Sequence, residues 1–216
     1  MKARFLAEAI GSFSIVATVL GAGFMVSSLG ADPALGLLMI ASSVAAVLFV
    51  VISTLAPISG AHFNPIVTMA FWFRKELSPS DTAAYFAAQF FGAGLGALAA
   101  NSMFNQVTAI SEVSRFNLGA MIGETIASAG LVFLIIQLVD LKRETLIAPA
   151  VAIWIFAGHI FTSSTSFANP AVTFGRIFSS SPSSISVESA GYFVLAQILG
   201  LILALFVSSQ FRKVIK

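Results

Sequence analysis

The chain has 216 residues, of which 58% are hydrophobic and 9% are charged, and its mean hydropathy is +0.98. A soluble domain carries about 25% charged residues, so this composition excludes a soluble globular protein and predicts an integral membrane protein. The net charge of +2 is small, and the absence of cysteine excludes disulfides and thiol chemistry.

Six apolar runs, each close to the roughly 20 residues that cross a bilayer, predict six membrane-spanning helices in one domain. The first run begins behind Lys2 and Arg4, contains Glu8 and lacks an A-x-A cleavage site, so we expect it to remain as a span. We expect a single transmembrane domain over residues 1–216, with repeat halves of about 1–110 and 111–216. The six runs are residues 5–29, 36–56, 83–104, 119–139, 146–163 and 190–210.

Two further apolar stretches, residues 65–73 and 170–178, are too short to cross the membrane. Each follows an Asn and begins with Pro, as Asn64-Pro65 and Asn169-Pro170. Asn is a preferred helix N-cap and Pro is favoured at the first helical position, so we predict two re-entrant half-helices. Non-helical backbone before each half-helix is tolerated at membrane depth only where protein buries it or water lines it, which indicates a water-lined cavity.

The chain also contains an internal repeat. Gln89 follows the first half-helix in Tyr-Phe-Ala-Ala-Gln, Gln197 follows the second in Tyr-Phe-Val-Leu-Ala-Gln, and Glu8 has a counterpart in Glu124. Three spans in each half give the halves opposite orientations, which is an inverted repeat.

The basic residues predict the orientation of the chain in the membrane. Nine of the eleven Lys and Arg residues lie at the termini and in alternate loops, and the positive-inside rule therefore places both termini in the cytoplasm. The nine are Lys2, Arg4, Arg74, Lys75, Lys142, Arg143, Arg212, Lys213 and Lys216.

Small residues recur at every fourth position of the third and sixth spans, and such stripes let helix backbones approach closely. Because the two stripes occupy matching places in the repeat, we expect them to form the contact between the halves. They are Ala88, Gly92, Gly96 and Ala100, and then Ala196, Gly200 and Ala204.

On these features the chain resembles the aquaporin and glycerol-channel family, the major intrinsic proteins. The resemblance rests on Ser59-Gly60-Ala61-His62-Phe63-Asn64-Pro65, on Asn169-Pro170-Ala171 and on the two early glutamates, and it covers nearly the whole chain. It implies an all-α membrane protein with six transmembrane helices plus two re-entrant half-helices, one pore per subunit and a homotetramer.

The resemblance also assigns roles to residues. Each Asn amide would donate to a passing oxygen while the positive ends of the half-helices repel cations and protons at the pore midplane. Glu8 and Glu124 would accept hydrogen bonds from the loops before the half-helices. The midplane set is Asn64, Asn169, Pro65, Pro170, Ile66 and Ala171, and the carbonyl ladder is Gly60, Ala61, His62, Phe63, Thr165, Phe167 and Ala168.

The chain departs from the family pattern at two positions. Ile66 stands where the family usually has Ala, and it either narrows the midpoint of the pore or packs behind it. Val172 stands where the family has the arginine of the outer filter. Counting from the motifs, the resemblance implies a small, uncharged filter, which predicts a wide and weakly selective outer pore. The filter set is Val44, Ala157, Ser166 and Val172.

Two residues near this filter have alternative interpretations. His159 lies two residues from Ala157, a turn of about 200° on a helix, so only one of them can face the pore. The count favours Ala157 and leaves His159 bonded to a neighbouring span or loop. Arg176 lies about one helical turn beyond Val172. It either moves the positive charge of the filter into the outer vestibule or snorkels to the outer interface, with snorkelling as the default.

We therefore expect a passive channel for water and small neutral solutes such as glycerol and urea. A bacterial branch of the family with valine at the filter is associated with arsenic handling, so the resemblance extends the expectation to arsenite and organoarsenicals. The alternatives are a proton-coupled secondary transporter that titrates Glu8 or Glu124, and a non-conducting assembly protein, which the short loops disfavour. We expect no enzymatic activity, cofactor, metal or nucleic-acid partner, and a location in the cell (inner) membrane.

Overall fold

The computed structural model describes residues 1–215, so Lys216, one of the basic residues used for orientation, lies outside the described residues. The side chain of Lys213, another of these basic residues, also lies outside the part that the structure describes. Within residues 1–215 there are eight α-helices, two short 3₁₀ turns and no β-strand. The helices are α1 (Lys2–Leu29), α2 (Pro33–Ser59), α3 (Pro65–Phe73), α4 (Pro79–Met103), α5 (Leu118–Asp140), α6 (Ile147–Phe161), α7 (Pro170–Gly175) and α8 (Val187–Ile215).

Among the described residues, six helical segments are long and apolar enough to cross a membrane, α6 being counted together with the 3₁₀ turn Glu144–Leu146 that precedes it. Helices α3 and α7 are the two predicted half-helices. The all-α architecture is therefore confirmed. Several spans begin earlier than the apolar runs, because polar caps outside the runs start the helices. Asp32 Oδ1 accepts from Ala34 N and Leu35 N, and Ser78 Oγ accepts from Asp81 N.

Successive long helices cross the bundle in opposite directions, so their ends define two faces of the bundle. The terminal face carries the start of α1, the end of α3, the start of α4, the end of α5 and the start of α6. The distal face carries the opposite ends of the long helices, the end of α7 and the loops around residues 105–117 and 179–186. An ion pair fastens the terminal face, because Arg74 donates to Asp140 at 3.0 and 2.6 Å. The Asp140 carboxylate raises the pKa of Arg74 above its ordinary value.

The small-residue stripes bring together helices of the same half. A Cβ at Gly92 would lie 2.1 Å from Ala9 O on α1, and a Cβ at Gly200 would lie 2.7 Å from Thr125 O on α5. The expectation that the stripes join the two halves is therefore wrong: α4 packs against α1, and α8 packs against α5. Their glycines admit the backbone carbonyls of these same-half neighbours.

The half-helices supply much of the contact between the halves. Helix α7 packs on α4, where a Cβ at Gly175 would lie 2.8 Å from Ala93 O, and α3 packs on α8. Helices α2 and α6 also contact each other across the halves. The starts of the two half-helices are therefore held at the centre of the bundle.

Candidate functional site

A cavity of about 650 Å³ lies between the helices, and its lining extends from one face of the bundle to the other. Glu144 and Thr145 line it near the terminal face, Asn64 and Asn169 line its middle, and Arg176 lines its distal end. Aliphatic side chains form much of the wall opposite the two loops that precede the half-helices. They are Ile15, Val19, Val44, Leu48, Ile52, Leu131, Ile135, Val151 and Ile155.

Each half-helix begins at its Asn, as the sequence predicts. Asn64 Oδ1 accepts from Ile66 N at 3.1 Å, and Asn169 Oδ1 accepts from Ala171 N at 3.0 Å and from Val172 N at 3.2 Å. The side-chain carbonyl of each Asn is thus occupied by its own helix, which orients the amide group away from that helix.

The two amide groups also join the motifs to each other. Asn64 Nδ2 donates to Ala168 O at 2.7 Å, and Asn169 Nδ2 donates to Phe63 O at 2.8 Å. An amide group has two N–H donors, so each Asn keeps a second donor beyond this cross-bond. Because both residues line the cavity, these donors are available to an oxygen that occupies its middle.

The loops before the two Asn residues share an unusual backbone. In each loop the residues four, three and one before the Asn have positive φ, which costs about 1–3 kcal/mol at a non-glycine residue and is concentrated at functional sites. Within residues 1–215, no hydrogen bond reaches the carbonyl oxygens of residues 60–62 or 165–167. These oxygens are therefore available as acceptors. The positive-φ residues are Gly60, Ala61 and Phe63, and Thr165, Ser166 and Ala168.

A buried glutamate holds each strained loop, and both carboxylates are 0% exposed. Glu8 accepts from His62 N at 3.0 Å and from Phe63 N at 2.6 Å. Glu124 accepts from Phe167 N at 3.2 Å and from Ala168 N. The carboxylates offset the cost of the loop conformation by satisfying backbone donors that have no helical partner.

A glutamine and a threonine complete each support. Gln89 donates to Glu8 and to Thr68, and Gln197 donates in the same way to Glu124 and Thr173, with nitrogen–oxygen distances of 2.8 and 2.9 Å in both halves. The two glutamines occupy matching places in the repeat, but no function was predicted for them. The sequence feature that could have indicated this support is the Thr that stands four residues after each Asn, on the same side of the half-helix.

The structure places Val44, Ser166 and Val172 in the cavity lining, together with His159. Ala157 is not part of that lining, so the register obtained by counting is corrected. His159 shares a face of α6 with Ile155, whose carbonyl lies 2.8 Å from His159 Nδ1, and this places Ala157 on another face. The ring is therefore bonded within its own helix and not to a neighbouring span.

Five residues expected at the midplane or along the ladder lie behind the lining. Ile66 and Ala171 are fully buried, and neither they nor the prolines nor Thr165 face the cavity. Of the two interpretations of Ile66, the structure matches packing behind the pore. The remaining residues of this group are Pro65, Pro170 and Thr165.

His62 and Arg176 both line the cavity, near opposite ends. His62 Nδ1 lies 3.1 Å from Thr68 Oγ1, and its ring stacks on Phe71 at a centroid distance of 4.7 Å. Arg176 is 3% exposed, and its guanidinium carbon lies 3.3 Å from the centroid of the Phe167 ring. A head group buried on an aromatic ring does not snorkel to the interface. No group of three or more His, Cys, Asp or Glu residues in the described part of the chain is placed to hold a metal ion.

Comparison with known proteins agrees with this geometry. The family model described as "Major intrinsic protein" matches residues 1–168. The chain is 39% identical over 203 residues to "Aquaglyceroporin AqpS" of Rhizobium meliloti (strain 1021), covering 94% of this chain and 87% of that protein. It is 33% identical over 224 residues to "Probable aquaporin TIP-type" of Medicago truncatula, with 94% and 87% covered.

A solved structure has the same fold. The aquaglyceroporin from Plasmodium falciparum superposes with a TM-score of 0.76, covering 99% of this chain and 96% of that one, at 20% sequence identity. The family model ends one residue before Asn169, so the second motif rests on its own hydrogen bonds and on these full-length similarities.

Proposed function

Because the chain belongs to the major intrinsic protein family, it is a passive channel for water and small solutes and not an enzyme, and we propose that solutes cross it through the central cavity. The observation that carries this proposal is the pair of Asn residues that line one cavity from both halves of the chain. The cavity joins an apolar wall to a row of unpaired carbonyl oxygens, a combination that suits small uncharged molecules with hydroxyl or amide groups.

The midplane would select by charge. The N-terminus of a helix carries roughly half a positive charge, and α3 and α7 begin beside each other, with α7 continued by the 3₁₀ turn Arg176–Phe178. The free amide donors would hold the oxygen of a passing molecule, so that the hydrogens of a water point away from the midplane. A water held in this way cannot pass a proton along a chain of waters, and cations are repelled.

The filter would admit solutes larger than water. Val172 is aliphatic where the family has an arginine, Val44 is aliphatic as well, and Ser166 and His159 add a hydroxyl and an imidazole. Glycerol, urea, the neutral hydroxide of arsenite and organoarsenicals are the solutes that we propose. The arsenic compounds rest on the valine at position 172, and glycerol rests also on the similarity to proteins whose names describe them as aquaglyceroporins.

A proton-coupled transporter would need Glu8 or Glu124 to bind and release protons during transport. Both carboxylates accept several hydrogen bonds that hold the loops, and neither lines the cavity. Protonation would remove acceptors on which the cavity wall depends. This arrangement favours a supporting role, and solute flux that ignores a pH gradient is the expected outcome.

We place the protein as a single channel domain in the cell (inner) membrane, with both termini in the cytoplasm and with four copies in a homotetramer. The orientation rests on the basic residues of the terminal face, and the tetramer rests on family membership.

The test is stopped-flow light scattering on purified protein in liposomes, with water, glycerol, urea and arsenite compared side by side. We expect Asn169→Ala to lower the flux of every solute, because it removes a cavity donor and the cap of α7. The matched control is Asn117→Ala, which removes the cap of α5, where Asn117 Oδ1 accepts from Ala120 N at 2.8 Å outside the cavity lining. Equal losses in both variants, or wild-type flux equal to that of protein-free liposomes, would overturn the proposed pathway.

A further inference from the structure

The distal end of the cavity carries a buried guanidinium group that the midplane mechanism does not use. We propose that Arg176 is the charge filter of this channel: one helical turn beyond Val172, it excludes cations and donates to the oxygens of uncharged solutes. This inference rests on the proposed function, because it requires the central cavity to be the solute pathway.

The guanidinium donors of Arg176 are placed at the cavity wall. Arg176 lines the cavity although it is only 3% exposed, and its Nε donates to Ser183 O. The two terminal Nη groups have no hydrogen-bond acceptor among the backbone and side chains that the structure describes. A buried guanidinium normally satisfies most of its five donors, so unsatisfied Nη groups at a cavity wall are donors for a solute.

The guanidinium of Arg176 is also held in place. It lies 3.3 Å from the centroid of the Phe167 ring, a cation–π contact. Phe167 is itself fixed, because its N–H donates to Glu124 and the ring of Phe193 meets it edge-on at a centroid distance of 5.0 Å. The charge is therefore held at one position of the lining and does not move across the opening of the cavity.

The serine-rich loop, residues 179–184, supports this charge. Ser179 Oγ donates to Asn101 Oδ1 at 2.7 Å, and Ser181 Oγ donates to Leu20 O at 2.9 Å. These bonds tie the loop to α4 and α1, so that the carbonyl of Ser183 is presented to the guanidinium from a fixed wall.

No carboxylate in the described part of the chain forms an ion pair with Arg176, although the buried carboxylate of Glu124 attracts its guanidinium from a longer distance. The ion pairs of the described residues involve Arg4, Arg74 and Arg212, and none includes Arg176. Arg115 adds a second positive charge 5.5 Å from the centroid of the same Phe167 ring. The distal end of the cavity thus carries a positive field that opposes the entry of cations.

Two polar groups of the same lining complete a set of partners for an uncharged solute. Ser166 is 2% exposed, and its Oγ has no partner among the described residues. His159 is bonded to Ile155 O through Nδ1, so a proton on Nδ1 makes Nε2 an acceptor. A solute with both hydroxyl and carbonyl or hydroxide oxygens can therefore bond to Arg176, Ser166 and His159.

Urea and the guanidinium ion provide the sharpest pair of probes, because they are planar molecules of nearly the same size that differ by one positive charge. We would measure the uptake of both into liposomes holding the wild type, Arg176→Gln or Arg176→Lys. Removing a unit charge about 5 Å from the path is expected to raise the guanidinium-to-urea permeability ratio about ten- to hundred-fold. Arg176→Lys keeps the charge, so its guanidinium-to-urea permeability ratio is expected to be as low as that of the wild type.

Arg115→Gln is the matched control. Arg115 donates from Nε to Ser184 O and from Nη2 to Pro182 O, both at 2.7 Å, but it does not line the cavity. Its loss disturbs the same loop and the same aromatic ring, while the charge at the wall stays in place. Because the charge of Arg115 lies behind the cavity wall, we expect the permeability ratio to rise several-fold less in Arg115→Gln than in Arg176→Gln.

An unchanged ratio in Arg176→Gln overturns the inference, and so does an equal rise in Arg115→Gln, which would mean that the loop merely supports the wall. Arg176→Met supplies a second neutral variant if Arg176→Gln does not assemble, because a thioether packs well on the Phe167 ring. Wild-type liposomes that pass neither water nor urea would overturn the proposed function instead, so the two failures are distinguishable.

Discussion

At the residue scale, position 172 determines how much room the distal half of the cavity has. Val172 lies in the first turn of α7, where its N–H donates to Asn169 Oδ1 at 3.2 Å, and its side chain lines the cavity opposite apolar residues that include Val44. A longer side chain at this position would extend into the cavity, because Val172 already lines it and the neighbouring Ala171 is fully buried.

We expect Val172→Arg to exclude glycerol while water still passes. The new guanidinium would occupy the opening one turn from Arg176, and the flux of glycerol should fall at least about tenfold, which corresponds to about 1.4 kcal/mol of added barrier. Stopped-flow light scattering with glycerol and with an impermeant sugar separates the two fluxes. Val172→Ala is the control, since a smaller side chain should leave glycerol flux at or above the wild-type value. Glycerol flux that survives in Val172→Arg would mean that the pathway does not pass this residue.

Residues with a local signal were predictable, and those placed by tertiary contacts were not. Asn64 and Asn169 were identified because capping is encoded within three residues of the sequence. The structure places His159 and not Ala157 in the lining, because the orientation of α6 is set by its packing, in which Gly158 lies against Ser166 of the following loop. The buried position of Arg176 depends likewise on Phe167 and on the loop that follows it.

At the element scale, the half-helices also combine features that the sequence predicts with features that it does not. Their starts follow from Asn-Pro, and their lengths follow from the short apolar runs. Their neighbours do not follow from sequence, because a stripe of small residues indicates that a backbone will approach closely without indicating which one. The stripe on α4 faces α1 of its own half, and the halves meet instead where α7 packs on α4 and α3 packs on α8.

Two glycines on α4 offer a matched test of this packing. A Cβ at Gly92 would lie 2.1 Å from Ala9 O, whereas a Cβ at Gly94 would meet nothing within 4 Å. We expect Gly92→Ala to lower the thermal stability of the detergent-solubilised protein, because overpacking against backbone costs typically about 1–3 kcal/mol. Gly94→Ala should leave the melting temperature equal or slightly higher, since Ala is favoured over Gly in helices by up to about 1 kcal/mol. Equal melting temperatures for the two variants would contradict the packing of α4 on α1.

At the scale of the whole molecule, one chain encloses the entire pathway. The cross-bonds between the two Asn motifs join the halves at the centre, and the pair Arg74–Asp140 joins the end of α3 to the end of α5 at the terminal face. The cavity lining includes residues from both faces of the bundle, and all of them come from the same chain. A subunit therefore needs no partner residue to complete its pathway.

The proposed homotetramer should consequently behave as four independent pores. Wild type and Val172→Arg can be co-expressed in varied proportions with different affinity tags, and mixed assemblies can be purified through both tags in turn and reconstituted. Because each chain encloses its own cavity, glycerol flux per chain should fall linearly with the fraction of Val172→Arg. A much steeper, fourth-power decline would mean that the subunits share one path, and recovery of only singly tagged chains would contradict the oligomer itself. Chemical crosslinking of the same samples, resolved by gel electrophoresis, provides the subunit count against which the flux is compared. If glycerol flux per chain declines linearly in assemblies of four subunits, each chain conducts by itself. The role of assembly would then be stability in the membrane.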